Sequence, residues 1–385
     1  MQRSLLFSLI VAGTVIGLAG TDLVLPAIPG LPDTLEGNLA QAQLVLATFT
    51  AGTAIGLLIF GELGARFDQK RLLIIALLGY ACFSFLATIC TTINALSLVR
   101  LLQGFMAAAP AVFAPGMIRA LFADRQALRA LGLMGSIESV VPALAPVAGA
   151  WLLLKFGWIS SFYVTCALAL ILALVWLPAS LPASAQHRGA GSYLALIRDP
   201  VFQRYALSQA CALGALLIFV FGAPTVMTVT MGGTLTDFIT MQIIGISLFI
   251  ITTNLVHRIV DWLGSENTIL LGTSLTAAGC LAILAYASRW HPEPEIIWFL
   301  FAFVNIGIGL RGPPGFYLAI LASGDDNARG AALVMLSVFL IVAGGTALLA
   351  PFITLGMVPL AAVASIVGSL GVILLLRLPQ LEHTP

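Results

Sequence analysis

Four ionisable residues stand inside long apolar runs: Asp22, Arg100, Glu138 and Arg311. Desolvating such a group is costly, so it is kept where it moves protons, binds a charged ligand or meets a partner. Asp22, shortly before Pro26, reads as a protonatable carboxylate, or as an acid at a helix end that just reaches water. Arginine stays charged when buried, so Arg100 can control the protonation of a nearby acid; otherwise it bonds helix-end carbonyls. Glu138, four residues before Pro142, lies among small and apolar residues. It can carry a proton or anchor a substrate, the plainer alternative being a protonated structural hydrogen-bonder. Arg311 sits in Gly309-Leu310-Arg311-Gly312-Pro313-Pro314-Gly315, where Gly and Pro point to a locally irregular helix lining a cavity. It can pair with Glu138, bind an anionic group such as a carboxylate, or form a structural ion pair. Phe219 and Phe221, with Phe316 and Tyr317, are candidates for an aromatic cavity wall. Thr14, Asn254 and Asn305 can hydrogen-bond between helices.

Other chemistries lack their residues. No Gly-rich phosphate loop ending in Lys-Ser/Thr, no His-Glu-x-x-His and no Gly-x-Ser-x-Gly elbow occurs. Cys82, Cys90, Cys166, Cys211 and Cys280 all lie in apolar runs without metal-ligand spacing. The sequence therefore predicts no enzyme, no metal and no cofactor. The net charge of +1 gives no footprint for nucleic acid. The expected partners are a small-molecule substrate, protons and membrane lipid.

The elements that must position these residues are membrane helices. Of 385 residues, 60% are hydrophobic and 9% charged, against about 25% charged in soluble chains. Mean hydropathy is +1.07. A soluble enzyme or secreted module is excluded, because too little polar side chain is present to cover a wet surface. A spanning helix needs about 20 mainly apolar residues. Twelve stretches qualify: 4–26, 42–60, 72–91, 95–119, 129–154, 158–178, 202–225, 236–257, 268–288, 296–321, 330–353 and 357–376. The first is too long for the apolar region of a signal peptide and reads as a span. With twelve spans, one side holds Arg3, Arg66, Lys70, Arg71, Arg119, Arg125, Arg129, Arg188, Arg198, Arg204, Arg258, Arg329 and Arg377, and the other only Lys155 and Arg289. Positive charge marks the cytoplasmic side, which predicts a multi-pass protein with both termini there.

Residues 179–200 form the longest polar stretch and read as a cytoplasmic linker. They separate an N-terminal half, 1–178, from a C-terminal half, 201–385. PGMIRALFADRQALRALGLM from Pro115 and PGFYLAILASGDDNARGAALVM from Pro314 are a degenerate repeat placing Arg129 and Arg329 alike. The expected architecture is an all-α membrane protein with 12 transmembrane helices in two pseudo-symmetric six-helix bundles. Many secondary transporters are built this way.

Thr21-Asp22-Leu23-Val24-Leu25-Pro26-Ala27-Ile28-Pro29, Arg100-Leu101-Leu102-Gln103-Gly104, Pro142-Ala143-Leu144-Ala145-Pro146-Val147-Ala148-Gly149, Arg198-Asp199-Pro200 and Gly222-Ala223-Pro224 occur in that order. Together they resemble the major facilitator superfamily, and within it the drug:proton antiporters of the Bcr/CflA multidrug-resistance type. The likeness covers essentially the whole chain. It implies a proton-coupled exporter of small amphipathic compounds in the cell inner membrane, monomeric, working by alternating access. Asp22 and Arg100 would then couple protons; Glu138 joins them on its depth in the membrane alone, and Asp22, Glu138, Arg311, Phe219 and Phe316 are the candidates, read from the residues, to line the substrate site. Arg311 is an extra cation that a cationic-drug pump would not want. The alternative cargo is an anionic metabolite, such as a carboxylate siderophore, anchored by Arg311. A passive channel and a membrane enzyme are the readings from other classes.

One motif departs from the family pattern. Its loop after helix two reads G-x-L-x-D-R-x-G-R-[KR], but here it is Gly61-Glu62-Leu63-Gly64-Ala65-Arg66-Phe67-Asp68-Gln69-Lys70-Arg71. Ala65 replaces the aspartate that helps latch the cytoplasmic side. The latch is then weakened, or rebuilt with Glu62 or Asp68. Arg66, Asp68, Lys70 and Arg71 are gating candidates, the basic ones serving otherwise to set topology. Pro142 and Pro146 are expected to bend a helix that moves.

Overall fold

The computed structural model describes residues 3–122, 124–179, 193–324 and 327–381. Its helices are α1 (Arg3–Asp22), α2 (Leu39–Arg66), α3 (Gln69–Ala87), α4 (Ile93–Leu121), α5 (Asp124–Phe156), α6 (Ser160–Trp176), α7 (Tyr193–Arg198), α8 (Pro200–Thr225), α9 (Leu235–Leu263), α10 (Ser265–Ala287), α11 (Pro294–Ala322), α12 (Asn327–Leu349) and α13 (Met357–Arg377). Among the described residues, ten helices are long and apolar enough to cross a membrane, or eleven with the bent α5 taken as one span. Helix α6, with 17 residues, is apolar but shorter.

Local sequence explains where the helices start. Asn38 caps α2 and trades hydrogen bonds with Gln41 in a capping box. Thr92 caps α4, and Thr234 with Asp237 caps α9. Asp199 accepts from Val201 N and Phe202 N while Pro200 opens α8. Each such cap is worth about 1 kcal/mol. Prolines 26, 29 and 32 fix φ after Asp22, and the chain leaves α1 as a 3-10 segment, Leu25–Asp33.

The chain divides into two compact units, Met1–Arg188 and Gly189–Pro385. In the first, α4 packs on α1, α2 and α3, α1 on α5, and α3 on α6. The second repeats this pattern: α11 packs on α8, α9 and α10, α8 on α12, and α10 on α13. Two glycines set the crossing of α2 and α4. A Cβ on Gly52 would fall 2.0 Å from the Leu101 oxygen, and one on Gly104 2.0 Å from that of Phe49. Only glycine permits such backbone contact, the usual way apolar helices associate without a hydrophobic driving force.

Residues 180–192 of the expected linker lie outside the described set, and its last part is helical, as α7 and the start of α8. Helix α11 runs on through Pro313 and Pro314 as one helix, although neither proline has an N–H to donate to the carbonyls next to Arg311. Helix α5 does bend, by 42° between Leu133–Pro142 and Leu144–Phe156. Pro142 lacks an N–H and crowds the carbonyl four residues earlier.

Candidate functional site

Arg100 lies two turns into α4 and is fully buried. Its Nη1 donates to Gly20 O at 2.9 Å and to Gln103 Oε1 at 2.7 Å. The guanidinium carbon stands 4.0 Å from the centroid of the Phe49 ring and 5.8 Å from that of Phe162. A desolvated cation over an aromatic face gains about 2 kcal/mol. Gln103 Nε2 donates to Ser84 Oγ at 2.7 Å, Ser84 Oγ to Tyr80 O at 2.7 Å, and Thr165 Oγ1 to Ser84 Oγ at 3.5 Å. Arg100 Nε and Nη2 find no protein acceptor.

Asp22 ends α1, two residues after Gly20, and is 7% exposed. It acts on Arg100 electrostatically, yet the two form no ion pair within 4.0 Å. The plainer reading, an acid reaching water, does not match this burial within the protein. Glu138 lies at the middle of α5, close to Thr14 of α1, whose hydroxyl donates to Val11 O at 2.9 Å within its own helix. The first unit therefore gathers a buried cation and two carboxylates around α1.

The 61–71 segment is arranged locally. Arg66 bonds Glu62 at 2.5–2.9 Å on one exposed turn of α2. Asp68 caps α3, accepting from Lys70 N at 3.2 Å, and faces Arg71 at 3.6 Å. Lys70 Nζ donates to Leu177 O at 2.9 Å, at the end of α6. A cation there favours the negative end of the helix dipole. The side chain of Ala65 lies outside the described residues.

In the second unit Arg311 is fully buried on α11. Its Nη1 donates to Ser208 O at 2.5 Å and its Nη2 to Ser208 Oγ at 3.2 Å. Phe219 and Phe316 do not come together. Phe219 is fully buried and stacks on Phe301 at 4.9 Å. Phe316 packs on the cluster of Phe202, Tyr205 and Leu333. Some 14 residues of helix at 1.5 Å per residue separate these places along α8. Asn254 and Asn305 donate within their own helices, to Ile250 O and Phe301 O.

Sequence reasoning missed two sets of partners. Ser84, Thr165, Phe49 and Phe162 around Arg100 carry no signal in isolation. Arg204 was counted only for topology. It is buried, with Nη2 on Glu266 Oε2 at 2.8 Å and Nη1 on the Leu375 and Leu378 oxygens. Tyr205 donates to Glu266 Oε1 and accepts from Leu381 N at 3.1 Å.

With ten or eleven apolar spans among the described residues and ionisable groups buried on them, this is a multi-pass membrane protein. The Major Facilitator Superfamily profile matches residues 10–346, and the chain belongs to that superfamily; it is a transporter, not an enzyme. It is 26% identical over 296 residues to a chloramphenicol resistance protein of Pseudomonas aeruginosa, covering 76% of this chain and 70% of that protein. It is 27% identical over 154 residues to a bicyclomycin resistance protein homolog of Haemophilus influenzae, covering 40% and 39%. A D-xylose-proton symporter structure superposes with a TM-score of 0.75 at 14% identity, covering 99% of both chains. The names of the two relatives agree with the Bcr/CflA resemblance carried by the motifs.

Proposed function

We propose that this chain is a proton-coupled exporter of small amphipathic compounds, working by alternating access in an inner membrane, as a monomer with both termini cytoplasmic. Twelve spans follow if bent α5 and α6 both cross; 17 residues is the short end of the spanning range. The observation that carries the reading is Asp22, buried beside the buried Arg100 without a close ion pair. Such a carboxylate can exist charged or protonated. Charged, it is held in the field of Arg100 and can face a cationic group of the cargo. Protonated, it gives up that attraction and the cargo leaves. Glu138 is the second proton site. Arg66, Asp68, Lys70, Arg71 and the bend at Pro142 and Pro146 serve gating. The test is reconstitution in liposomes with an internal pH dye. Adding chloramphenicol or a lipophilic cation should move protons; transport that ignores a pH gradient would mean a passive carrier instead.

A second reading, export of an anionic metabolite, is favoured by one observation. Arg311 is buried with no carboxylate of its unit within ion-pair distance among the described residues. Proton movement with carboxylates alone in the same assay would select this reading. Phe219 and Phe316 would then act from behind the site, as packing.

A further inference from the structure

Ser84 does not bond Arg100, yet it decides which way a partner of Arg100 faces. That partner is Gln103, one turn further along α4, whose amide carries an acceptor oxygen on one side and a donor NH2 on the other. Gln103 Oε1 accepts from Arg100 Nη1 at 2.7 Å, and Gln103 Nε2 donates to Ser84 Oγ at 2.7 Å. All three side chains are fully buried, so a bond lost there is not replaced by bulk water.

The hydrogen of Ser84 fixes the amide this way round. It is spent on Tyr80 O, 2.7 Å away and four residues back on α3, which leaves Ser84 Oγ as an acceptor toward Gln103. Thr165 Oγ1 of α6 is 3.5 Å from the same oxygen and bonds Ser161 O and Phe162 O of its own helix at 3.0 and 3.1 Å. Turned over, the amide would set oxygen against oxygen at Ser84 and NH2 against the guanidinium.

The consequence falls on Asp22. Arg100 Nε and Nη2 have no acceptor, while Gly20 O and Gln103 Oε1 draw the guanidinium away from the carboxylate. The titratable groups that face it are Asp22 of α1 and Tyr80 of α3; α2 and α6 bring the rings of Phe49 and Phe162. Glu138 of α5 lies by Thr14, eight residues before Asp22 and so about 12 Å away along α1. Release of Gln103 frees the guanidinium to close on Asp22.

We propose that Ser84 is a positioning residue of proton coupling: by fixing the Gln103 amide it holds Arg100 short of a direct ion pair with Asp22. For transport this deepens the proton-coupled reading and rests on it; the protonation of Asp22 is measured without transport. The detergent-purified full chain is titrated by infrared spectroscopy, following the carboxylic-acid C=O band that Asp22→Asn removes. Ser84→Ala should move the midpoint of that band about half a pH unit or more toward acid, because a closer cation favours the ionised carboxyl. Ser84→Cys fills the same space with a weak acceptor and should do likewise, so that either variant decides if the other does not fold. Gln103→Leu should reproduce the shift, and adding Ser84→Ala to it should change nothing further. No band lost in Asp22→Asn, an unmoved midpoint in the Ser84 variants, or a Ser84→Ala shift that adds in full to that of Gln103→Leu overturns the assignment. The expected shift in a protein whose transport ignores pH upholds the positioning of Arg100 and sinks only the proton-coupled reading.

Discussion

Arg100 holds the main-chain oxygen of Gly20 at 2.9 Å, so the cation on α4 is fastened to α1 two residues before Asp22. The guanidinium is thus held by the main chain of α1 and by Gln103 rather than by the carboxylate. A proton can then arrive at Asp22 without breaking a bidentate ion pair.

Arg100→Lys keeps the charge but loses the planar guanidinium that lies over Phe49 while its Nη1 reaches Gly20 and Gln103. Proton-driven uptake by inverted vesicles should fall at least tenfold, with the protein still inserted. Undiminished uptake would mean that charge alone suffices.

Asp22→Asn and Glu138→Gln separate the two proton candidates. Asp22→Asn, which mimics the protonated state, should abolish the response of transport to a pH gradient and weaken the binding of a cationic cargo at least several-fold. Glu138→Gln should weaken it several-fold. If both variants, normally expressed, transport with full proton drive, coupling resides elsewhere.

The buried pair of Arg204 and Glu266 should matter for stability rather than for cargo. Glu266→Gln leaves Arg204 uncompensated, a loss of about 3–5 kcal/mol. Thermal unfolding in detergent should shift down markedly, and Arg204→Met in the same chain should restore much of it. No recovery in the double variant would show that the Leu375 and Leu378 oxygens, not Glu266, are what Arg204 serves.

Glu62 and Arg66 form an exposed pair on one helix turn, worth about 0–1 kcal/mol. Glu62→Ala should leave the melting temperature within a degree or two. A large change in transport at unchanged stability would assign the pair to gating; no change in either leaves Arg66 to topology.

Much of this was legible in the sequence, for physical reasons. Hydropathy shows where helices cross because the membrane demands long apolar runs, and the burial of Asp22, Arg100 and Arg311 follows from their place in those runs. The partners of Arg100 were not legible, since Ser84 and Thr165 come from α3 and α6 and no spacing links them. Arg204 was hidden by its position near a helix start, where charge reads as topology; Glu266 lies 62 residues further on. Pro313 and Pro314 do not end α11; a membrane helix can keep its course through prolines, so they mark no boundary in the sequence.

Where α2 meets α4, the main chains touch at Gly52 and Gly104 with no side chains between them to slide. At those two points neither helix can shift past the other by changing rotamers, because backbone meets backbone there. The two form a single stiff strut, and amide exchange should report them as one block that opens together. Flexing within the first unit is then left to α5, whose bend at Pro142 is the compliant joint beside a rigid beam.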